Sequence, residues 1–173
     1  MKIVIIKNLI IKQATPTIGI QKLIDKINKI NTNTAFIQIF RASAIIDREH
    51  LIISYLSALN SFKEKQNTSN KIAIEMLLFA GMTKQINAAI SKIGAENNAN
   101  LIIFSNSKQK YLMIKKYLKD ETNFLPSLSQ IKKTANAYKL ILNKAAKANS
   151  NQKIKKQVDT ELFQRIAISN LKD

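Results

Sequence analysis

The residue types that carry most enzyme chemistry are scarce in this chain. There is no cysteine and one histidine, His50. Thiolate zinc sites, disulfides, cysteine nucleophiles and any centre needing two imidazoles are therefore excluded. A Ser-His-Asp arrangement would have to be built on His50. That residue falls in the first turn of an expected helix, where Asp47 reads as the N-cap and Glu49 as a partner of the helix dipole. A lone histidine there reads as a packing or hydrogen-bonding residue, with no second group to activate it. The three glycines, at 19, 81 and 94, are too scattered for a phosphate-cradling loop. The eleven acids are spread too thinly to form an acid–base pair.

Cationic chemistry, by contrast, is abundant. Lys and Arg total 28 against 11 Asp and Glu, a net charge of +17 with a pI of about 10.1. Solubility asks only roughly 2–8 charges of a small domain, so the excess points to a polyanionic partner. Lys outnumbers Arg 25 to 3 and Asn and Ile are frequent, a pattern that AT-rich coding also produces. Residues 101–156 hold 13 Lys against Asp120 and Glu121 alone, a net of +11. The link 63–71 (KEKQNTSNK) sets Lys63, Lys65 and Lys71 around Asn67, Thr68 and Ser69 at the mouth between two helices. Lysines, hydroxyls, amides and helix N-terminal N–H groups can together bind phosphate and sugar edges. The competing reading is a solvated loop in which Thr68 or Ser69 caps the next helix. Phe104, Tyr111, Tyr117 and Tyr138 offer base-stacking surfaces, though their helical spacing suits a core equally well.

The elements that must position these residues follow from periodicity. At 173 residues and 19.5 kDa the chain can bury one ordinary core. A β-branched run at 2–9 reads as a strand, Thr15-Pro16 opens a helix carrying Ile20, Leu23 and Ile27, and 34–40 is a second strand. Asp47 starts a helix with Leu51, Tyr55, Leu59 and Phe62 on one stripe. A strongly apolar helix covers 71–80. Thr83 is expected to cap a third at 84–93, with Gly94 ending it in the left-handed region. The run at 100–104 is a third strand, and 108–118 a helix. Residues 120–130 form a loop, 129–148 a basic helix or helix pair, 149–152 a break, and 153–171 a last helix. The expectation is a single α/β domain over 1–173, a small mixed sheet packed by several helices, with a basic helical C-terminal part from 107. No run reaches the roughly 18 apolar residues of a membrane span. The interrupted apolar start lacks a cleavage site, so a cytoplasmic location without membrane contact is expected.

The segment 47–94 adds a resemblance. Its order of elements is Arg48-Glu49-His50-Leu51, the helix from Ala58 to Phe62, Asn67-Thr68-Ser69, Glu75-Met76-Leu77-Leu78, Lys84-Gln85-Ile86 and Lys92-Ile93-Gly94. This resembles the archaeal pattern of the PRPK-binding protein family, the small subunit of the KEOPS (EKC) complex. The strand after residue 100 and the closing Leu162-Phe163-Gln164-Arg165-Ile166-Ala167 sit where that family has its own. Lys84 stands where arginine is usual. The resemblance implies a non-catalytic subunit without cofactor or metal. It would bind a small atypical kinase and recruit tRNA through the single-stranded acceptor end, for a complex whose transferase subunit passes a threonylcarbamoyl group to an adenosine. On that basis the RNA site is expected at Lys63, Lys65, Asn67, Thr68, Ser69, Lys71, Lys84 and Gln85, and the kinase contact at Leu162, Phe163 and Ile166. The alternative is a free-standing basic RNA-binding protein with no kinase partner.

Overall fold

The computed structural model describes residues 9–138 and 151–168. All but the last residue of the strand expected at 2–9, the expected helix beyond residue 138, and the end of the last helix from 169 lie outside the described residues. In chain order the elements are β1 (Ile10–Pro16), α1 (Ile20–Ile30), β2 (Ile37–Arg41), a 3-10 turn (Ala42–Ala44), α2 (Arg48–Lys63), α3 (Ile72–Gly81), α4 (Ile86–Ile93), β3 (Leu101–Ser105), α5 (Lys108–Lys115), β4 (Leu118–Asn123), α6 (Leu128–Ala137) and α7 (Asn151–Ile168). The fold is α/β, as expected. The chain forms two compact units, Met1–Ala42 with Ala95–Phe124 and Ser43–Gly94 with Leu125–Asp173.

The first unit holds the sheet, in the order β2-β3-β1-β4. Every pairing is antiparallel, where a mixed sheet was expected. Because β1 and β2 both oppose β3, they run the same way with β3 between them, a split β-α-β unit. On one face Ala14, Ile37, Ile39, Leu101 and Ile103 bury against Ile20, Leu23 and Ile27 of α1 and Tyr111 and Ile114 of α5. Phe40, Ile102 and Phe104 are fully buried on the other face, so β3 is an unbroken apolar run.

Two expectations fail here for one reason. Thr15-Pro16 does not open a helix: Thr15 and Pro16 pair with Lys119 and Leu118, and α1 starts at Ile20 after Gly19, which gives no side-chain cap. Residues 118–123, of which 120–123 were expected as loop, form the edge strand β4. Its sequence LKDETN buries only Leu118, so no apolar alternation announces it. The backbone of β1 supplies the pairing, across a register shift between Gln13 and Thr15.

The second unit is helical. Here α2 packs on α3 and α7, α3 on α4, and α6 on α7. Apart from Glu75, α3 (IAIEMLLFAG) is apolar on every side, and residues from Glu75 to Gly81 are all buried, as a central helix requires. Ile154, Val158, Leu162 and Ile166, four residues apart, are the buried stripe of α7. That helix begins at Asn151, inside the break expected at 149–152. No glycine has positive φ. Gly94 is extended (φ −60°, ψ 155°), and the left-handed turn falls on Met82 (φ 52°). The expectation of a left-handed Gly94 is thus wrong. Its lack of a side chain matters for another reason: a Cβ there would collide with the backbone carbonyl of Ile90. Among the described residues no helix is long and apolar enough to cross a membrane.

Candidate nucleic-acid interface

The lysine-bearing loop between α2 and α3 is built from inside by one carboxylate. Glu75 is buried in α3 and reaches back along its own helix. Its oxygens accept from the backbone N–H of Thr68 (3.1 Å) and of Ser69 (2.8 Å) and from Ser61 Oγ (3.3 Å). Lys65 takes the left-handed conformation (φ 58°) just past α2, its N–H donating to Phe62 O and that of Gln66 to Ser61 O. This closes the end of α2 in the way a glycine usually does. Asn67 Nδ2 donates to Ser69 O (3.1 Å), and Lys71 N–H to Ser69 Oγ (3.2 Å). Neither Thr68 nor Ser69 caps α3; its N-cap is Lys71, which makes no side-chain cap bond.

The loop's backbone amides at 68 and 69 are therefore already taken and are not offered to a phosphate. What faces outward are the side chains of Lys63, Lys65, Thr68 and Lys71, all exposed, with Asn67 and Ser69 half-buried. Lys84 and Gln85 are also exposed but lie beyond the far end of α3. Ten helical residues separate them from Lys71, about 15 Å of rise. The expected single cluster is thus two cationic spots joined by one helix. Gln85 is the N-cap of α4, and its N–H donates to Thr83 Oγ1 (3.2 Å), so Thr83 precedes the cap position it was expected to fill. On α4 itself Ile86 and Ile90 are exposed, an apolar pair beside Gln85.

His50 lies at the other side of α3 and is consumed in structure. It is fully buried, and Asp47 caps its helix by accepting from His50 N–H (3.0 Å), as expected. Ile46 N–H donates to Nδ1 (3.3 Å), so Nε2 carries the proton and donates to Ala80 O (3.0 Å). The Tyr138 ring meets the imidazole edge-on at 5.4 Å, with its hydroxyl within reach of Ala44 O and Ala80 O. Lys92 Nζ donates to Gly81 O (2.9 Å) and lies 4.1 Å from the centre of the Tyr138 ring. Met82 N–H and Thr83 N–H take the carbonyls of Phe79 and Leu78. All four terminal carbonyls of α3 therefore have a donor. Burial lowers His50 to about 4, so it is neutral at ordinary pH.

The residues expected at a kinase contact separate. Leu162 and Ile166 are 0% exposed and hold α7 in its unit, which removes them as surface contacts. Phe163 is 59% exposed. Arg165 Nη1 donates to Tyr138 O (3.2 Å) at the end of α6, a role no sequence pattern signalled.

A split β-α-β unit and a helical unit carrying a carboxylate-braced lysine loop define an α/β protein whose histidine is structural and whose outward chemistry at this loop is cationic. Residues 12–170 match the family described as "Kinase binding protein CGI-121", nearly the whole chain, and the chain belongs to that family. The resemblance read from 47–94 pointed to the same family. No curated protein matches the chain.

Proposed function

We propose that the chain is a non-catalytic, cytoplasmic subunit that binds a small atypical kinase and recruits tRNA by its unpaired acceptor end. On this reading it serves the KEOPS complex, whose transferase subunit forms threonylcarbamoyladenosine. Family membership supports the kinase half. One observation supports the RNA half: Glu75 satisfies the loop amides internally and leaves Lys63, Lys65 and Lys71 outward with Asn67 and Ser69 between them. Lysines neutralise phosphates, while short amides and hydroxyls read the edges of splayed, unpaired nucleotides. Lys84 and Gln85 would meet the same strand further along. The exposed Phe163 is the residue left to contact the kinase.

The test is binding of tRNA with and without its terminal unpaired nucleotides. Trimming should weaken binding at least about tenfold, on the order of 1.4 kcal/mol. Lys71→Glu should reduce binding of intact tRNA far more than of trimmed tRNA. Equal affinity for both forms would leave only general attraction to a basic surface. Phe163→Glu should release a co-purifying kinase without altering folding or tRNA binding. A chain that never co-purifies with a kinase would favour the free-standing RNA-binding alternative.

A further inference from the structure

The first unit carries a second cationic feature that the loop does not explain. Tyr117, between α5 and β4, is half-buried against the sheet core, and its backbone is fixed on both sides: its N–H donates to Ile114 O (2.9 Å) and its carbonyl accepts from Thr17 N–H (2.9 Å). Two lysines from different elements converge on its ring. Lys26 Nζ of α1 is 4.8 Å from the ring centre and Lys116 Nζ, at the end of α5, is 5.2 Å away. Lys22 and Lys29 share the outer stripe of α1 with Lys26, at one turn before and about one turn after. The stripe spans about 10 Å.

Like charges gathered around one phenol repel, and cation–π attraction offsets only part of that. No carboxylate relieves it among the described residues. Asp25 accepts from Gln21 Nε2 (3.0 Å), and Glu121 is occupied by Tyr111 and Lys115. Hydrogen bonding from Lys26, with Lys116, draws the Tyr117 hydroxyl below its ordinary range, which reports the positive field there.

We infer that the Lys26–Tyr117–Lys116 cluster, extended by Lys22 and Lys29, is a second RNA-contacting surface that grips phosphodiester backbone and offers Tyr117 to an unpaired base. The lysines match phosphates and the ring matches a base, the pairing of groups that single-stranded RNA sites use. An anionic membrane is the poorer fit. The outer face of α1 (Gln21, Lys22, Asp25, Lys26, Asn28, Lys29) is wholly polar, and α5 exposes only Leu112 and Met113 as large apolar groups. That falls short of the apolar face an interfacial helix needs.

The surface lies in the other unit from the 63–71 loop and does not depend on the end-recognition reading. The full chain carrying Lys26→Glu with Lys116→Glu should bind intact and trimmed tRNA both at least about tenfold more weakly, with their ratio unchanged. The salt dependence should become shallower by about 1.4–1.8 in log–log slope, as for two lost phosphate contacts. Tyr117→Leu should weaken binding of an unstructured oligoribonucleotide more than that of an RNA duplex, and Tyr117→Phe should do neither. The corresponding Lys→Gln pair repeats the test without charge reversal, and an unchanged melting temperature shows that both variants fold. Wild-type affinity and slope in these folded variants would overturn the inference. Loss of phosphatidylserine-vesicle binding with RNA binding intact would overturn it too. If the loop variant Lys71→Glu shows no end dependence while the double variant weakens both RNAs, end recognition fails and this surface stands.

Discussion

The two ends of α3 meet the same demand by opposite means. At its C-terminal end the last carbonyls are covered by donors brought from elsewhere: His50 from α2, Lys92 from α4, and the turn's own Met82 and Thr83 amides. At its N-terminal end nothing is imported to cap the helix. Instead Glu75, one turn in, reaches out to hold the preceding loop. The sealed end rests on several independent bonds and buries its polar groups. The open end rests on one carboxylate and keeps its lysines in solvent. A surface meant for an anion needs the second arrangement, because a loop whose amides bond to its own protein stays ordered while its cations stay exposed.

The largest expected effect tests that reliance on one group. Glu75→Leu leaves the buried-side Thr68 and Ser69 amides without their acceptor, while Ser61 Oγ keeps Ala58 O, and should cost about 2–4 kcal/mol in urea unfolding. It should also depress tRNA binding although no lysine is altered. Glu75→Gln, which keeps one good acceptor, should fall between. A loss below about 0.5 kcal/mol, typical of an ordinary surface site, would show that the loop is held by something else.

The next effect is a pH dependence concealed at the sealed end. His50 is neutral when folded, lowered by burial to about 4 against 6.5 when unfolded. Its contribution is present above pH 6.5 and is lost as pH falls towards 4. Asp47 is shifted the other way, raised to about 7 by burial, with the carboxylates of Asp159 and Glu49 adding to this and the His50 N–H bond and Lys155 opposing it. Its contribution is present below about pH 4 and is lost as pH rises towards 7. Between these limits the His50 slope opposes that of Asp47 and of Asp159, which burial also raises, so the native chain should show a shallower profile than either variant. Asp47→Asn, which keeps the cap acceptor, should unmask stability rising from about pH 4 to 6.5, and His50→Gln should unmask the fall. Each slope should amount to about 2–3 kcal/mol at most. Flat profiles in both variants would refute the opposed titration.

The smallest effect concerns the close of α4. Gly94→Ala should destabilise by about 1 kcal/mol or more, because the new methyl meets the Ile90 carbonyl and backbone cannot swing aside. An unchanged melting temperature would mean that the last turn of α4 relaxes freely. Left-handed strain plays no part, since the residue is already extended.

What was legible in the sequence was whatever depends on local pattern. The helices at 48–63, 72–81 and 86–93 follow from apolar spacing, and the cap at Asp47 from a short acceptor ahead of a helix. The strand at 101–105 follows from an apolar β-branched run. β4 was not legible, because an exposed edge strand is defined by the backbone that pairs with it. Glu75 left a trace that could have been used: a lone carboxylate inside IAIEMLLFAG must find partners if it is buried, and the nearest amides are those of the preceding loop. Arg165 and Lys92 left no comparable trace, since their acceptors are backbone carbonyls distant in sequence.

By itself the sequence determined the α/β class, the excess of positive charge, the absence of cysteine and imidazole clusters, and the lysine-rich link after α2. These depend on composition and on periods of two and 3.6 residues, which any segment carries alone. Only the tertiary structure decided that β3 lies between β1 and β2, that Leu162 and Ile166 are interior while Phe163 is exposed, and that Lys71 and Lys84 stand at opposite ends of one helix. It alone brought Lys26 to Lys116 across the Tyr117 ring. Each of these is a relation between segments far apart in the chain. Their side chains acquire a common environment only when the sheet and helices close around their cores, so no local pattern encodes it.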